Sequence, residues 1–328
     1  MKISTLVNQT IDYEFDPLRD KDDFVFLDNN NLPTIKTPPY ILPSISLTPI
    51  NSEIPKTLKN KTNHYYKLST YFGKKFSIYP RAASCIAHLI KHLNIKKTDN
   101  VAIYKTFENN FISRCITDTI LLQCEFTRAI DKNTKAVMVI HEFGYPYKEV
   151  PKLKNMCKAQ NIPLIENCAW TFDHNLSSKT RLGGFGDYVI YSLPKIIPVL
   201  YGGVIVGLGK NKSIRAIKTE KEKLIKDQLV RYMPNIKKYN NYRRKNWGYL
   251  NKLFLKDKHA SWIKLENNVY PAVYLVRNKS YQRLYDKYLK YGVEVGRYYH
   301  KESLYLPIHQ NLNKNHLDYI FAIYNGQK

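Results

Sequence analysis

Ser192-Leu193-Pro194-Lys195, followed by Gly202-Gly203, holds the most chemistry in this chain. It comes directly after Gly186-Asp187-Tyr188-Val189-Ile190-Tyr191, which reads as a strand. A lysine leaving a buried strand, beside a serine and ahead of a Gly-Gly turn, has the parts of a Schiff-base site. The amine meets an aldehyde while the hydroxyl bonds a phosphate nearby. Alone the signal is weak, because a lysine in a Lys-rich chain is more commonly a solvated surface residue. A second anion site is predicted at Pro80-Arg81-Ala82-Ala83-Ser84, where a helix begins and its free N–H groups and dipole favour negative charge.

These residues need a frame. Residues 1 to about 60 read as irregular, because Leu32-Pro33, Pro38-Pro39, Leu42-Pro43 and Thr48-Pro49 break any long element; Phe24 to Leu27 has the composition of a short strand. From about 61 helix and strand alternate. Helices are predicted over His64–Phe72, Ala82–Leu93, Phe111–Leu122 and Val150–Gln160, and strands over Val101–Tyr104, Ala136–Ile140, Leu164–Ile165, Tyr188–Tyr191 and Val204–Val206. The continuous apolar run Ala136–Ile140 is what a parallel strand covered on both faces requires. The alternation predicts an α/β domain with a mostly parallel sheet over 61–209. Beyond it, 210–328 reads as a very basic helical stretch to about Leu255 and a small α+β domain. That domain has strands at Tyr270–Val276 and Val293–Val295 and helices at Tyr281–Tyr291, ended by Gly292, and His316–Tyr324.

Composition narrows the class. A chain of 328 residues buries a large core and accommodates one large domain and one small. No run approaches the roughly 20 apolar residues of a membrane helix, and the first ten residues lack the apolar core of a signal peptide. Five scattered cysteines with no CxxC pair read as reduced thiols of a cytoplasmic protein. The formal net charge of +25 has two readings: attraction to phosphate-rich partners, or a compositional bias spread over the surface. The dispersed basic residues and the lack of a nucleic-acid motif favour the second, and no specific nucleic-acid partner is expected. The densest basic stretch runs from Lys210 to Lys226 and on through Arg243-Arg244-Lys245.

Several segments, in order, carry a family pattern: Phe72 to Ala83; Lys135 to Pro146 with His141-Glu142-Phe143-Gly144; Ile162 to Ala169 with Glu166-Asn167-Cys168-Ala169; Gly186 to Lys195; and Gly202-Gly203. Together they resemble the DegT/StrS family of pyridoxal 5'-phosphate (PLP) nucleotide-sugar aminotransferases. The resemblance runs from about Tyr65 to about Gly209 and resumes at Arg243–Trp247 and Ser303–His309. It implies the fold type I architecture, a homodimer with active sites at the subunit interface, and amino transfer from glutamate to a keto group of a nucleotide-diphosphate-sugar.

The resemblance also implies roles. Lys195 carries the cofactor and moves the proton. Arg81, Ala82, Ala83 and Ser192 hold the phosphate. Phe107 packs on the ring, and Asn167 contacts the ring nitrogen. His141 and His309 match family positions and equally fit satisfied core histidines. Gly183 to Gly186 matches a turn before the next strand. There are departures. Asn167 stands where the family has an aspartate, and a neutral amide cannot hold a ring proton by charge. Glu166 is adjacent, but strand alternation points it to the other face. Trp170 stands in place of Gln or His, Pro80 in place of Gly, and the Ser192–Lys195 and Gly203–Arg243 intervals are short. These departures motivate a second reading, a homologue with altered PLP chemistry such as a dehydratase-like enzyme, or one without catalysis. A third is a basic polyanion-binding protein.

Overall fold

The computed structural model describes residues 26–27, 33–34, 45–49, 64–73, 76–172, 182–207, 220–256, 261–267, 269–299 and 302–325. Most of the irregular segment expected over 1–60, and the basic run 210–219, lie outside the described residues. Phe26–Leu27 (β1) pairs antiparallel with Pro33–Thr34 (β2).

The main body is a seven-stranded sheet. Its elements in chain order are helix His64–Phe72 (α1), strand Phe76–Tyr79 (β3), helix Ala82–His92 (α2), strand Asn100–Lys105 (β4), helix Arg114–Leu121 (α3), strands Glu125–Thr127 (β5) and Thr134–Ile140 (β6), helix Val150–Ala159 (α4), and strands Leu164–Asn167 (β7), Tyr188–Ser192 (β8) and Gly203–Gly207 (β9). The strand order is β3-β9-β8-β7-β6-β4-β5. Only β9 runs antiparallel to its neighbours.

Period-two alternation builds both faces. Val101, Ile103, Ala136, Met138, Ile165, Ile190 and Ile205 pack on one side with Cys85, Ile86, Leu89 and Ile120 of α2 and α3. Their neighbours Ala102, Val137, Val139 and Leu164 pack on the other with Val150, Leu153 and Cys157 of α4. Further along that side, Val189, Val204 and Val206 meet Leu68 and Phe72 of α1 and Ile225 and Leu229 of helix Glu220–Tyr232 (α5). A sheet covered on both faces suits continuous apolar strands. These two layers of helix on a mixed, mostly parallel sheet are the fold type I architecture.

Helix Ile236–Lys256 (α6) leads into the small domain. There strand Val273–Arg277 (β10), helix Tyr281–Lys290 (α7), strands Gly296–Tyr298 (β11) and Ser303–Pro307 (β12), and helix Lys314–Asn325 (α8) follow. The strands form an antiparallel sheet in the order β10-β12-β11. Its core joins Trp247, Leu250 and Phe254 of α6 to Tyr274, Leu284, Tyr288, Leu306 and Ile320. Gly292, at φ 71°, ends α7 as its left-handed cap.

Two expectations shift. Val293-Glu294-Val295 is not a sheet strand. Val293 and Val295 are buried, but Val293 makes a single parallel bridge to Ile45, and the strand begins at Gly296. The helix expected from Phe111 starts at Arg114, because Ser113 is extended and Phe111 is drawn onto the ring of Tyr298.

Candidate active site

Register brings the chemistry to one edge of the large sheet. Lys105 pairs with Ile140, and Ile140 with Asn167, so β4, β6 and β7 end together. Ser192 pairs with Gly203 and Gly203 with Tyr79, which leads directly into α2. The carboxyl ends of parallel strands, beside a helix N-terminus, are where an α/β sheet binds ligands.

The α2 N-terminus sits tightly on this edge. Its first intrahelical bond is from Cys85 N–H to the Arg81 carbonyl, so the Ala82, Ala83 and Ser84 N–H groups precede the ladder. A Cβ added to Gly203 would lie 2.7 Å from Arg81 C and 2.8 Å from Ala82 N. Only glycine lets β9 approach the helix start this closely, and Ser192 is the residue paired opposite. The result is a cradle of amides that lie outside the helix ladder, with a half-buried hydroxyl beside it.

On β7 the two adjacent side chains diverge as strand alternation requires. Glu166 is fully buried and accepts the N–H groups of Gly183 (2.9 Å), Phe185 (2.7 Å) and Gly186 (2.5 Å), and His141 Nε2 at 3.1 Å. His141 Nδ1 accepts the Tyr147 N–H at 3.1 Å, so its ring proton is on Nε2. Burial alone would raise the Glu166 carboxyl, but the His141 hydrogen bond and the backbone donors outweigh it and hold the group below its usual range. The Gly183–Gly186 turn is therefore wrapped around a carboxylate. Cys168 joins His141 and Glu166 in a group whose ligand atoms lie within 4.8 Å of one another. The Glu166 oxygens already serve four donors, so the trio is a structural knot and a poor cation site.

Asn167 points the other way and is 3% exposed. Its Oδ1 accepts the Ala169 N–H at 3.1 Å, and among the described residues its Nδ2 meets Met138 Sδ alone, at 4.0 Å. The amide thus caps the strand end with its oxygen and keeps its donors nearly unused.

Lys195 lies on the turn after β8, where Ile196 and Ile197 N–H both donate to the Leu193 carbonyl. Its side chain is half-buried, and Nζ stands 4.2 Å from the centroid of the Trp170 ring. Trp170 belongs to an aromatic cluster with Phe143 and Tyr305. Phe107 is in the same cluster, edge-on to Trp262 at 5.2 Å and against Tyr145 and Tyr298. Among the described residues, no ring contact or hydrogen bond joins Phe107 to Lys195 or Asn167. Lys195, Asn167, Ser192 and the Arg81–Ala83 helix start share one edge, while Phe107 faces the small domain.

Motifs did not reveal two groups here. Lys105 Nζ bonds the Phe107 carbonyl (3.0 Å) and lies 3.7 Å from Glu142 Oε1, and Glu142 Oε2 accepts the Phe107 N–H at 2.8 Å. Burial pushes the Glu142 carboxyl up to about 7 and pulls the Lys105 amine down, so both partners are drawn toward neutrality. Arg243, 1% exposed, donates from Nη2 to the carbonyls of Lys195 (3.0 Å) and Ile196 (2.9 Å). Burial draws the guanidinium down to about 9. The helical spacing of Arg243 with Trp247, Leu250 and Phe254 places it on the buried face of α6 and was the available signal. His309 is a satisfied core histidine: Nε2 meets the Ser46 carbonyl at 2.9 Å, and burial pulls its pKa down to about 3.

The residues fit PLP. Helix amides outside the α2 ladder and Ser192 suit a phosphate, a half-buried amine suits an aldehyde, and Asn167 offers a donor at the end of the neighbouring strand β7.

The fold defines the class: a fold type I chain, with a lysine on the turn after β8. Comparison with known proteins agrees. Residues 93–253 match the sequence model of the DegT/DnrJ/EryC1/StrS aminotransferase family, and the chain resembles that family. The family and the structural neighbours reported below are aminotransferases. GDP-perosamine synthase of Vibrio cholerae is 35% identical over 81 residues, 24% of this chain and 22% of that protein. The match therefore spans about a fifth of the curated relative. The aminotransferase TlmJ from Streptoalloteichus hindustanus superposes with a TM-score of 0.65 at 13% identity, over 81% of this chain and 90% of its own. Spr1654 from Streptococcus pneumoniae, in its PLP-form, gives 0.61 at 13% identity, over 81% and 91%; its PMP-form matches as well.

Proposed function

We propose that this chain transfers an amino group from glutamate to a keto group of a nucleotide-diphosphate-sugar, for a polysaccharide or a sugar-modified metabolite. The observation that carries the reading is the placement of Lys195 on the same sheet edge as the α2 amide cradle and Asn167. When bound, PLP supplies an aldehyde for the amine and a ring that accepts the electrons left on the substrate carbon. The Ala82, Ala83 and Ser84 N–H groups and the Ser192 hydroxyl hold the phosphate, with Arg81 at the helix start. Lys195 Nζ would hold the cofactor aldehyde until the donor's amine displaces it, and the freed amine would then take and return the substrate proton. Trp170, backed by Phe143 and Tyr305, shields that amine from water. The +25 charge favours capture of a diphosphate substrate. We place the enzyme in the cytoplasm, where scattered thiols stay reduced. We expect a homodimer, for which Leu200, 51% exposed on the Lys195 turn, offers contact surface; sedimentation velocity checks this, and a monomer overturns it.

The test is an absorbance spectrum with added PLP, before and after L-glutamate. A cofactor band that Lys195→Ala abolishes, and that glutamate converts, is the expected result. No band in the wild-type protein, even with excess cofactor, overturns the reading.

A second reading, altered PLP chemistry, is favoured by one observation. Asn167 Oδ1 is engaged by Ala169, so the amide presents N–H and no charge to the ring nitrogen. A donor there suits an unprotonated nitrogen, which weakens the ring as an electron sink. A band that forms on Lys195 but is unmoved by glutamate would favour this reading.

A further inference from the structure

Arg243 heads the largest fully buried side chains, yet no carboxylate pairs with it among the described residues. Burying a cation without a counter-ion costs several kcal/mol, so stability alone does not account for it. Its contacts converge on one place. Nη2 grips the carbonyls of Lys195 and Ile196, and Nε donates to Gln310 Oε1 at 3.1 Å. Gln310 Nε2 in turn donates to the same Ile196 carbonyl at 3.1 Å. One turn further along α6, Asn246 Nδ2 donates to the carbonyls of Ile308 (3.2 Å) and His309 (3.1 Å), fastening the segment that carries Gln310. Within the gripped turn itself the Ile196 and Ile197 N–H groups donate to the Leu193 carbonyl, and the Leu193 N–H to the Gly202 carbonyl, but the Lys195 and Ile196 carbonyls are met by Arg243 and Gln310. A charged fork gives stronger and more directional hydrogen bonds to carbonyls than a neutral side chain does.

We infer that Arg243 and Gln310 are positioning residues for Lys195: from α6 and the segment after β12 they lock the main chain of the Lys195 turn and so aim its amine at the site edge. The role rests on the cofactor reading of Lys195 for its purpose, though not for its physical content. The lysine is then held at both ends, its carbonyl by the guanidinium and its amine over Trp170. Because Gln310 follows β12, the small domain reaches the reactive turn directly.

The experiment uses the full chain, Arg243→Lys and, as the milder change, Gln310→Leu, with circular dichroism to select folded protein. Hydrogen exchange is read at the Ile196 and Ile197 amides, with Val189–Tyr191 as the internal reference. Lysines are then trapped with borohydride after exposure to PLP or, separately, to formaldehyde, and each is quantified by mass spectrometry against Lys237. Expected are at least ten-fold faster exchange at 196–197 with β8 unchanged, at least five-fold less PLP adduct on Lys195, and more methylation of Lys195 as its amine leaves Trp170. A merely structural residue would lower the melting temperature and leave the Lys195 share of both labels as in the wild type; that result overturns the inference. So does unchanged exchange at 196–197 in both variants. If the wild-type protein shows no PLP preference for Lys195, the cofactor reading fails, and the exchange and formaldehyde arms still decide the positioning role.

Discussion

Asn167 and Glu142 each set a measurable property with one side chain. If Asn167 meets the ring nitrogen as proposed, Asn167→Asp puts a carboxylate there, and we expect the glutamate half-reaction to accelerate by at least ten-fold, read as conversion of the cofactor band. An unchanged rate would mean that this position does not limit the chemistry. For Glu142 the sign runs through burial. Its folded pKa of about 7 exceeds the ordinary 4.5, so between these values the folded protein binds more protons than the unfolded chain. The stability this group contributes is complete below about pH 4.5 and is lost as pH rises toward 7. Urea melts should show that downward slope, and Glu142→Gln, which keeps an acceptor for the Phe107 N–H, should remove this group's share of it. A slope unaltered by E142Q would assign it to other groups.

At the scale of elements, the Gly183–Gly186 turn and the α2 cradle depend on different devices. Glu166→Ala leaves three backbone N–H groups and His141 without their acceptor, a loss of about 3 kcal/mol or more; denaturant unfolding checks it. Gly203→Ala forces a methyl against Arg81 and Ala82. It should weaken PLP binding by at least ten-fold and barely alter binding of the phosphate-free pyridoxal, as measured by absorbance titration. An equal loss for both aldehydes would show that the cradle does not hold the phosphate. Much of this frame was legible from residues. The continuous apolar run Ala136–Ile140 and the 3.6 spacing in Ala82–Leu93 placed strand and helix to within a residue or two, and strand alternation alone turned Glu166 away from Asn167. What escaped was tertiary. Val293-Glu294-Val295 has a strand's alternation, but its partner, Ile45, lies far away in sequence. Nothing local to Arg243 says that its fork reaches the Lys195 turn. Phe107, expected on a cofactor ring, has its rings supplied by Trp262 and Tyr298 of the later chain.

For the whole molecule, +25 is a field as well as a count. Binding to an anionic matrix such as heparin should be tight at 50 mM salt and collapse by at least a hundred-fold near 200 mM if the charge acts without specificity. Retention that persists at high salt would point to a built polyanion site. No helix among the described residues is long and apolar enough to cross a membrane. The tight approach of Gly203 to the start of α2 also has a consequence in time. Those two halves of the cradle are separated by nearly the whole large domain, and β9 is the last strand of its sheet to be made. Long-range pairing of this kind closes slowly and late. A nascent chain that has emerged only as far as β8 holds the helix and the serine with no strand to press them together. The anion pocket is thus among the final products of folding, and a chain that has captured its cofactor has, by that act, completed its sheet.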